Sequence, residues 1–459
     1  MNSKKIDMTH GSIIKLVFLF ALPICFGNIL QMLYNTVDSI VIGNFCGSTS
    51  LAAVGTSSQP VEMILCIFLG LGTGISILVS QYVGAKDMEN LKKTVNTATA
   101  FLYICAIPLT ILGFFIGPLI LKFMGTPSDA WNLAVTYIDI MFLGTLGNIG
   151  YNINAGILRG LGDSKSSLFF LLISCFVNII LDFLFVAVFH FDVAGAAAAT
   201  SIAMFCSWFF SIGYIRRRYK ELDFKILPHS IDQSVMKEII RIGLPLGLNN
   251  SIYSIGHILM QGLVNAQGSI FMAGCVVGSK ITGIANVAIT SMSSAATTFS
   301  GQNLGAKNYV RLRKGGMVIP AVSGAITCTT GLTTTFLLSS ILVKMFTNDH
   351  AVMEIGILYI HCILPFSWMY AVFNSIICYV NGLGEVKYPT IVNIFTLWAV
   401  RIPCGYFISY FINGRYVNIS VAVSFAFGMT CMIAFYFTKK WKNVCKLADK
   451  QKIIYKKCK

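Results

Sequence analysis

The chain is short of charge. Of its 459 residues only 11% are Asp, Glu, Lys or Arg, while 56% are hydrophobic. Soluble domains carry about 25% charged residues, so a soluble globule of this length would lack the polar surface to cover itself. The same apolar excess excludes a disordered chain. Acids are the scarcest charged type: 18 Asp and Glu stand against 34 Lys and Arg, for a net charge of +16. The 14 cysteines contain no CxxC pair and read as small core hydrophobes, not as disulfides or metal ligands. There is no HExxH, GxSxG or GxxxxGK[ST], so the metalloprotease, serine-hydrolase and nucleotide-driven readings have no motif to rest on. No enzyme, organic cofactor or metal centre is expected. The alternating ~10-residue strands of an outer-membrane barrel are missing too.

What is present is a series of long apolar runs. They predict twelve transmembrane spans at 13–41, 51–81, 95–121, 132–158, 167–190, 194–215, 238–264, 271–300, 315–343, 352–380, 389–413 and 417–438. The fold class is therefore an all-α polytopic membrane protein. An even number of spans puts both termini on one side, and 29 of the 34 basic residues fall on that side. Lys122, Lys344 and Arg415 fall opposite, and Lys280 and Arg401 lie inside spans. The positive-inside rule places both termini in the cytoplasm of a cell-membrane protein. The basic residues from Lys439 to Lys459 are read as a juxtamembrane tail against anionic lipid headgroups, not as a nucleic-acid site. Residues 1–12 are polar and show no cleaved leader.

The chain repeats itself. Leu22-Pro23 recurs as Leu244-Pro245, Gln81-x-x-Gly84-Ala85-Lys86 as Gln302-x-x-Gly305-Ala306-Lys307, and Gly160-Leu161-Gly162-Asp163 as Gly382-Leu383-Gly384-Glu385, at offsets of 221 or 222. This is an internal duplication, with lobes at 1–215 and 238–438, a cytoplasmic linker at 216–237 and a tail at 439–459. The two pseudo-symmetric six-helix bundles enter the membrane with the same orientation, and a substrate path is expected between the lobes. The repeated Gly-rich segments follow no strand and read as tight cytoplasmic turns.

Carboxylates inside the membrane are costly and persist mainly for function. Four are internal: Asp38, Glu62, Asp139 and Asp182, all in the first half. Asp38 ends a one-face stripe of Asn28, Gln31 and Asn35, and Asp182 ends another of Ser174 and Asn178. Such stripes point into a bundle or cavity, either as a hydrogen-bonded core or as a functional site. Glu62 and Asp139 have weaker stripes. In the second half Asn250, Tyr253 and His257 repeat the first stripe, but Met260 replaces the acid. His257 reads as a core or cavity-wall histidine in preference to a proton carrier. Lys280 and Arg401 either line the cavity or snorkel and pair with carbonyls. Pro23 lies fifteen residues before Asp38 and marks a hinge in the first span.

The six-plus-six plan, the Pro23–Asp38 spacing, Leu51-Ala52-Ala53-Val54-Gly55 and Gln81-x-x-Gly84-Ala85 resemble the multidrug and toxic compound extrusion (MATE) family, of the multidrug/oligosaccharidyl-lipid/polysaccharide flippase superfamily. Asn178-x-x-Leu181-Asp182 and Gly195-Ala196-Ala197-x-Ala199-Thr200 resemble its prokaryotic, DinF-like branch. The resemblance implies a cation site in the first lobe formed by Asp38, Asn178, Asp182 and Thr200. Phe183 stands where the family often has Pro, which bears on backbone geometry there. The second lobe offers His257, Gln261, His361 and Asn374 but no internal acid, against a second ion site. The implied activity is proton- or sodium-coupled antiport of amphipathic, cationic organic compounds by alternating access, in a monomer surrounded by lipid. Tyr34, Tyr151, Tyr253, Trp368 and Tyr370 are the candidate aromatic cavity residues. Lipid-linked oligosaccharide flipping, the alternative, needs a cavity richer in Arg and Lys.

Overall fold

The computed structural model describes residues 5–123, 126, 128–227 and 231–438, and the described chain is helical with no strand. The basic tail at 439–459 lies outside the described residues. The helices are α1 (Ile13–Phe45), α2 (Ser48–Gly84), α3 (Met88–Phe123), α4 (Ser128–Leu143), α5 (Thr145–Gly160), α6 (Ser164–Asp182), α7 (Asp192–Arg218), α8 (Gln233–Asn265), α9 (Ser269–Gly305) and α10 (Tyr309–Thr333). They continue with α11 (Ser339–Lys344), α12 (His350–Ile363), α13 (Ser367–Gly382), α14 (Lys387–Phe395), α15 (Ile402–Phe407) and α16 (Ile419–Phe437). Wider π-type segments extend α6 through Phe183–Val188, join α10 to α11, and flank α15 on both sides.

Ten of the described helical stretches are long and apolar enough to cross a bilayer, and the α4–α5 pair, bent by 47°, makes an eleventh. The remaining one is α8. It is 33 residues long, but Asn249, Asn250, His257 and Gln261 dilute its apolar run. These twelve stretches lie where the hydropathy pattern predicts spans. The fourth predicted span bends by 47° at Gly144, where α7 packs so close that a Cβ would run into Ser201.

Two compact units form. The first comprises Met1–Ile6 and Pro23–Asn250, the second Asp7–Leu22 and Ser251–Lys459. The division is therefore not a simple cut at the linker, because each unit takes the leading part of the other half's first helix. Small residues make this possible in the first unit. A Cβ on Gly70 would run into the backbone of Gly247, and one on Gly74 would lie 2.8 Å from Gly243. Two helix backbones approach this closely only where neither carries a side chain. In the second unit the Met8 amide donates to Gln302 Oε1 at 2.9 Å, and Asn303 and Arg311 donate to the Met8 carbonyl at 3.0 Å each.

The duplication is visible in the turns. Lys86 and Lys307 both take left-handed conformations, at φ 54° and 57°, and Gly162 and Gly384 do so at 89° and 87°. The Gly-Ala-Lys and Gly-x-Gly segments are helix-ending turns, as their sequence predicts.

Candidate functional site

A cavity of about 630 Å³ lies within the first unit. The entire stripe of α1, Asn28, Gln31, Asn35 and Asp38, lines it, together with Tyr34. A spacing of 3, 4 and 3 residues keeps these side chains on one helix face, so the polar face of an otherwise apolar helix looks into the cavity. Glu62 on α2, Tyr137 on α4, Tyr151 on α5 and Thr200 on α7 complete much of the polar wall.

The second stripe stands behind that wall. Ser174, Asn178 and Asp182 are all buried, Asp182 to 1% exposure. Asp38 lies within hydrogen-bonding reach of both Asp182 and Asn178, and Asn178 Nδ2 donates to Thr200 Oγ1 at 3.3 Å. The four residues on α1, α6 and α7 therefore meet. Two ionised carboxylates have no proton to share, and Asp38 Oδ1, Asn178 Oδ1 and both oxygens of Asp182 are buried without a donor. Buried acceptors left unpaired are costly. A cluster of them is matched by a proton or by a hard cation that takes oxygen ligands. Just beyond Asp182 the backbone widens into the π-type segment at Phe183. The geometry there departs from a straight α-helix at the residue that replaces the family's Pro.

The other sequence candidates are placed as follows. Asn35 and Glu62 line the cavity, as do Tyr34 and Tyr151, whose hydroxyl donates to the Ser167 carbonyl at 3.4 Å. Asp139 is not among the lining residues. It lies two positions after Tyr137, about 200° around α4, and its buried Oδ1 has no partner. Pro23 is buried in α1 and lines the cavity.

In the second unit Tyr253, His257, Tyr370 and Arg401 form one cluster with Phe425. Gln261 is exposed and bonds Asn265 at 2.8 Å, and Lys280 is exposed. Trp368 is half-buried. Arg401 is 4% exposed, donating to Ser424 Oγ at 2.9 Å and to the Tyr253 hydroxyl at 3.0 Å. Its guanidinium also faces the rings of Tyr253 and Phe425. Tyr370 stacks on Phe425, and His257 packs edge-on to Tyr253. Hydroxyls and aromatic faces thus satisfy Arg401 where it stands. The residues 222 positions after Asp38 and Asp182 are Met260 and Cys404, and Met260 belongs to an apolar cluster with Leu263 and Leu397. Where the first unit holds two acids, the second is apolar with an arginine nearby in sequence.

Sequence reasoning missed Arg159, which lines the first unit's cavity along with Asn148 and Asn152. The signal was there: Asn148, Asn152 and Arg159 are spaced 4 and 7 apart on α5, a one-face pattern.

The family model MatE matches this chain twice, over residues 23–184 and 245–407, so its two copies begin at Pro23 and Pro245. The chain is 28% identical over 454 residues to the probable multidrug resistance protein YpnP of Bacillus subtilis, covering 97% of this chain and 100% of the relative. It is 24% identical over 434 residues to the probable multidrug resistance protein NorM of Thermotoga maritima, covering 92% of each. Its fold matches an outward-facing multidrug resistance MATE transporter with a TM-score of 0.88 at 23% identity, over 97% of this chain and 100% of the other. It also matches a MOP superfamily transporter from Pyrococcus furiosus with a TM-score of 0.86 at 23% identity, over 97% and 99%. A family match in both halves, joined to an all-helical duplicated fold, leads to one conclusion: the chain belongs to the MatE family of multidrug and toxic compound extrusion transporters, a multi-pass membrane protein and not an enzyme.

Proposed function

We propose that this protein exports amphipathic organic compounds across the cell membrane by cation-coupled antiport, with Asp38, Asn178, Asp182 and Thr200 holding the coupling cation. Multidrug resistance names among its full-length relatives support the export reading. The observation that carries the coupling reading is the cluster of four buried, donorless oxygens on Asp38, Asn178 and Asp182. A proton shared between the carboxylates, or sodium bound by the Asp, Asn and Thr oxygens, removes their mutual repulsion. One positive charge entering is worth ~2.3 kcal/mol per 100 mV, enough for a roughly 50-fold concentration ratio of exported solute. Met260 and Cys404 at the equivalent positions leave the second unit without this chemistry. Both termini face the cytoplasm in this reading, and aromatic side chains such as Tyr34 and Tyr151 contact the substrate.

The test is transport in proteoliposomes under proton and sodium gradients imposed separately. Asp38→Asn and Asp182→Asn should each abolish gradient-driven export, and Met260→Asp added to either should not restore it. Wild-type export by either single variant at equal expression would remove the acid pair from the coupling site.

A further inference from the structure

Arg159 sits on the last turn of α5, half-buried and facing the first unit's cavity. Among the described residues it has no hydrogen bond and no carboxylate partner. Its electrostatic neighbour is the Tyr151 hydroxyl, which spends its own proton on the Ser167 carbonyl. The acid nearest in sequence, Asp163, is fully engaged elsewhere. It accepts from the Ser166 amide at 3.1 Å and from the hydroxyls of Ser166, Tyr214 and Tyr219 at 2.8, 3.0 and 2.9 Å. On the other side of the turn, Ser164 is 1% exposed, lines the same cavity, and leaves its Oγ without a partner.

A guanidinium drawn into a low-dielectric cavity without a counter-ion is costly to maintain. Its five donors form a fork that suits a carboxylate, and the idle Ser164 hydroxyl adds one more. The acid pair does not oppose an anion here. Ser164 begins α6 and Asp182 ends it, a separation of about 27 Å along the helix, beyond the range of effective screened repulsion.

We propose that Arg159 and Ser164 form an oxyanion-binding pole at the end of this cavity remote from Asp38, and that its ligand is the carboxylate of a small amphiphile. A volume of about 630 Å³ suits one drug-sized molecule and is too small for a two-chain lipid. The proposal rests on the export reading only in calling that molecule a substrate.

The test needs no ion gradient. Purified full-length protein is titrated with a xanthene dye bearing a free carboxyl group, and separately with its methyl ester, followed by fluorescence anisotropy. The wild type should prefer the acid by about tenfold, as expected for one charge-assisted contact. Arg159→Gln should erase that preference by weakening the acid alone, Arg159→Lys should keep part of it, and Ser164→Ala should lower it several-fold. Equal affinities in the wild type, or an undiminished preference in Arg159→Gln or in Ser164→Ala, would overturn the proposal. Binding of the ester alone would overturn it while leaving export intact, whereas binding of neither dye would remove both readings. Nanodiscs of phosphatidylcholine and of phosphatidylglycerol separate the two sources of an oxyanion. An acid preference equal in both supports a soluble ligand. Its loss in phosphatidylglycerol would give the site to a lipid phosphate and overturn the assignment.

Discussion

Asp163 and Arg159 stand four residues apart and show opposite treatments of a charge. Asp163 is 3% exposed with four donors around it. Burial and the adjacent carboxylate both push the Tyr219 phenol upward from its ordinary value, so it stays a donor at any physiological pH. Removing the acid would strand the Tyr219 hydroxyl, leave Ser166 and Tyr214 only each other, and uncap α6. We expect Asp163→Ala to cost about 3 kcal/mol, read as a large fall in the detergent unfolding midpoint. Glu385, its counterpart, accepts one amide, from Tyr388 at 3.4 Å, so Glu385→Ala should move that midpoint far less. At this scale Asp38 and Asp182 were legible in the sequence because a carboxylate amid apolar residues stands out. Thr200 was reachable only by resemblance, since a lone threonine in a helix commonly bonds its own backbone. Arg159 was hidden by its place beside a Gly-x-Gly turn, where a basic residue looks like one more cytoplasmic charge.

Among the elements, α1 carries the most. It holds the cavity-lining stripe, and Pro23 is its first residue in the first unit. Proline removes one ladder bond and crowds the carbonyl four residues back, so α1 can bend there. Pro23→Ala should slow gradient-driven transport in proteoliposomes several-fold while leaving expression and unfolding midpoint nearly unchanged. Wild-type turnover would take Pro23 out of the mechanism. Element positions were readable because twenty apolar residues admit few alternatives. The 47° bend at Gly144 and the π-type widening at Phe183 were not. At the first, Gly144 packs against Ser201, 57 positions away in sequence. At the second, the usual bending residue has been replaced while a departure from straight helix remains.

For the whole molecule, the charge pattern sets a prediction about sidedness. The 216–241 segment carries seven of the 29 basic residues on its side, which predicts a cytoplasmic location for it. A single cysteine at Lys225, exposed outside the helices, should resist an impermeant thiol reagent in intact cells and react once the membrane is opened. Labelling from outside would invert the topology. The duplication could be read from three short matches, but the path of the chain through the two units could not. It hangs on contacts such as Met8 with Gln302 and Gly70 with Gly247, and no periodicity records which half a segment will join.

That exchange has a historical reading. Asp7–Leu22 joins the unit of the second half, and the first unit runs on to Asn250, so the halves trade equivalent pieces. A reciprocal trade of this kind is what a two-fold symmetric dimer makes when each subunit lends its leading segment to the other. A symmetric ancestor carried identical residues at both copies of every position. The acids at 38 and 182 and the Met and Cys at 260 and 404 therefore mark where the two copies have diverged since the duplication.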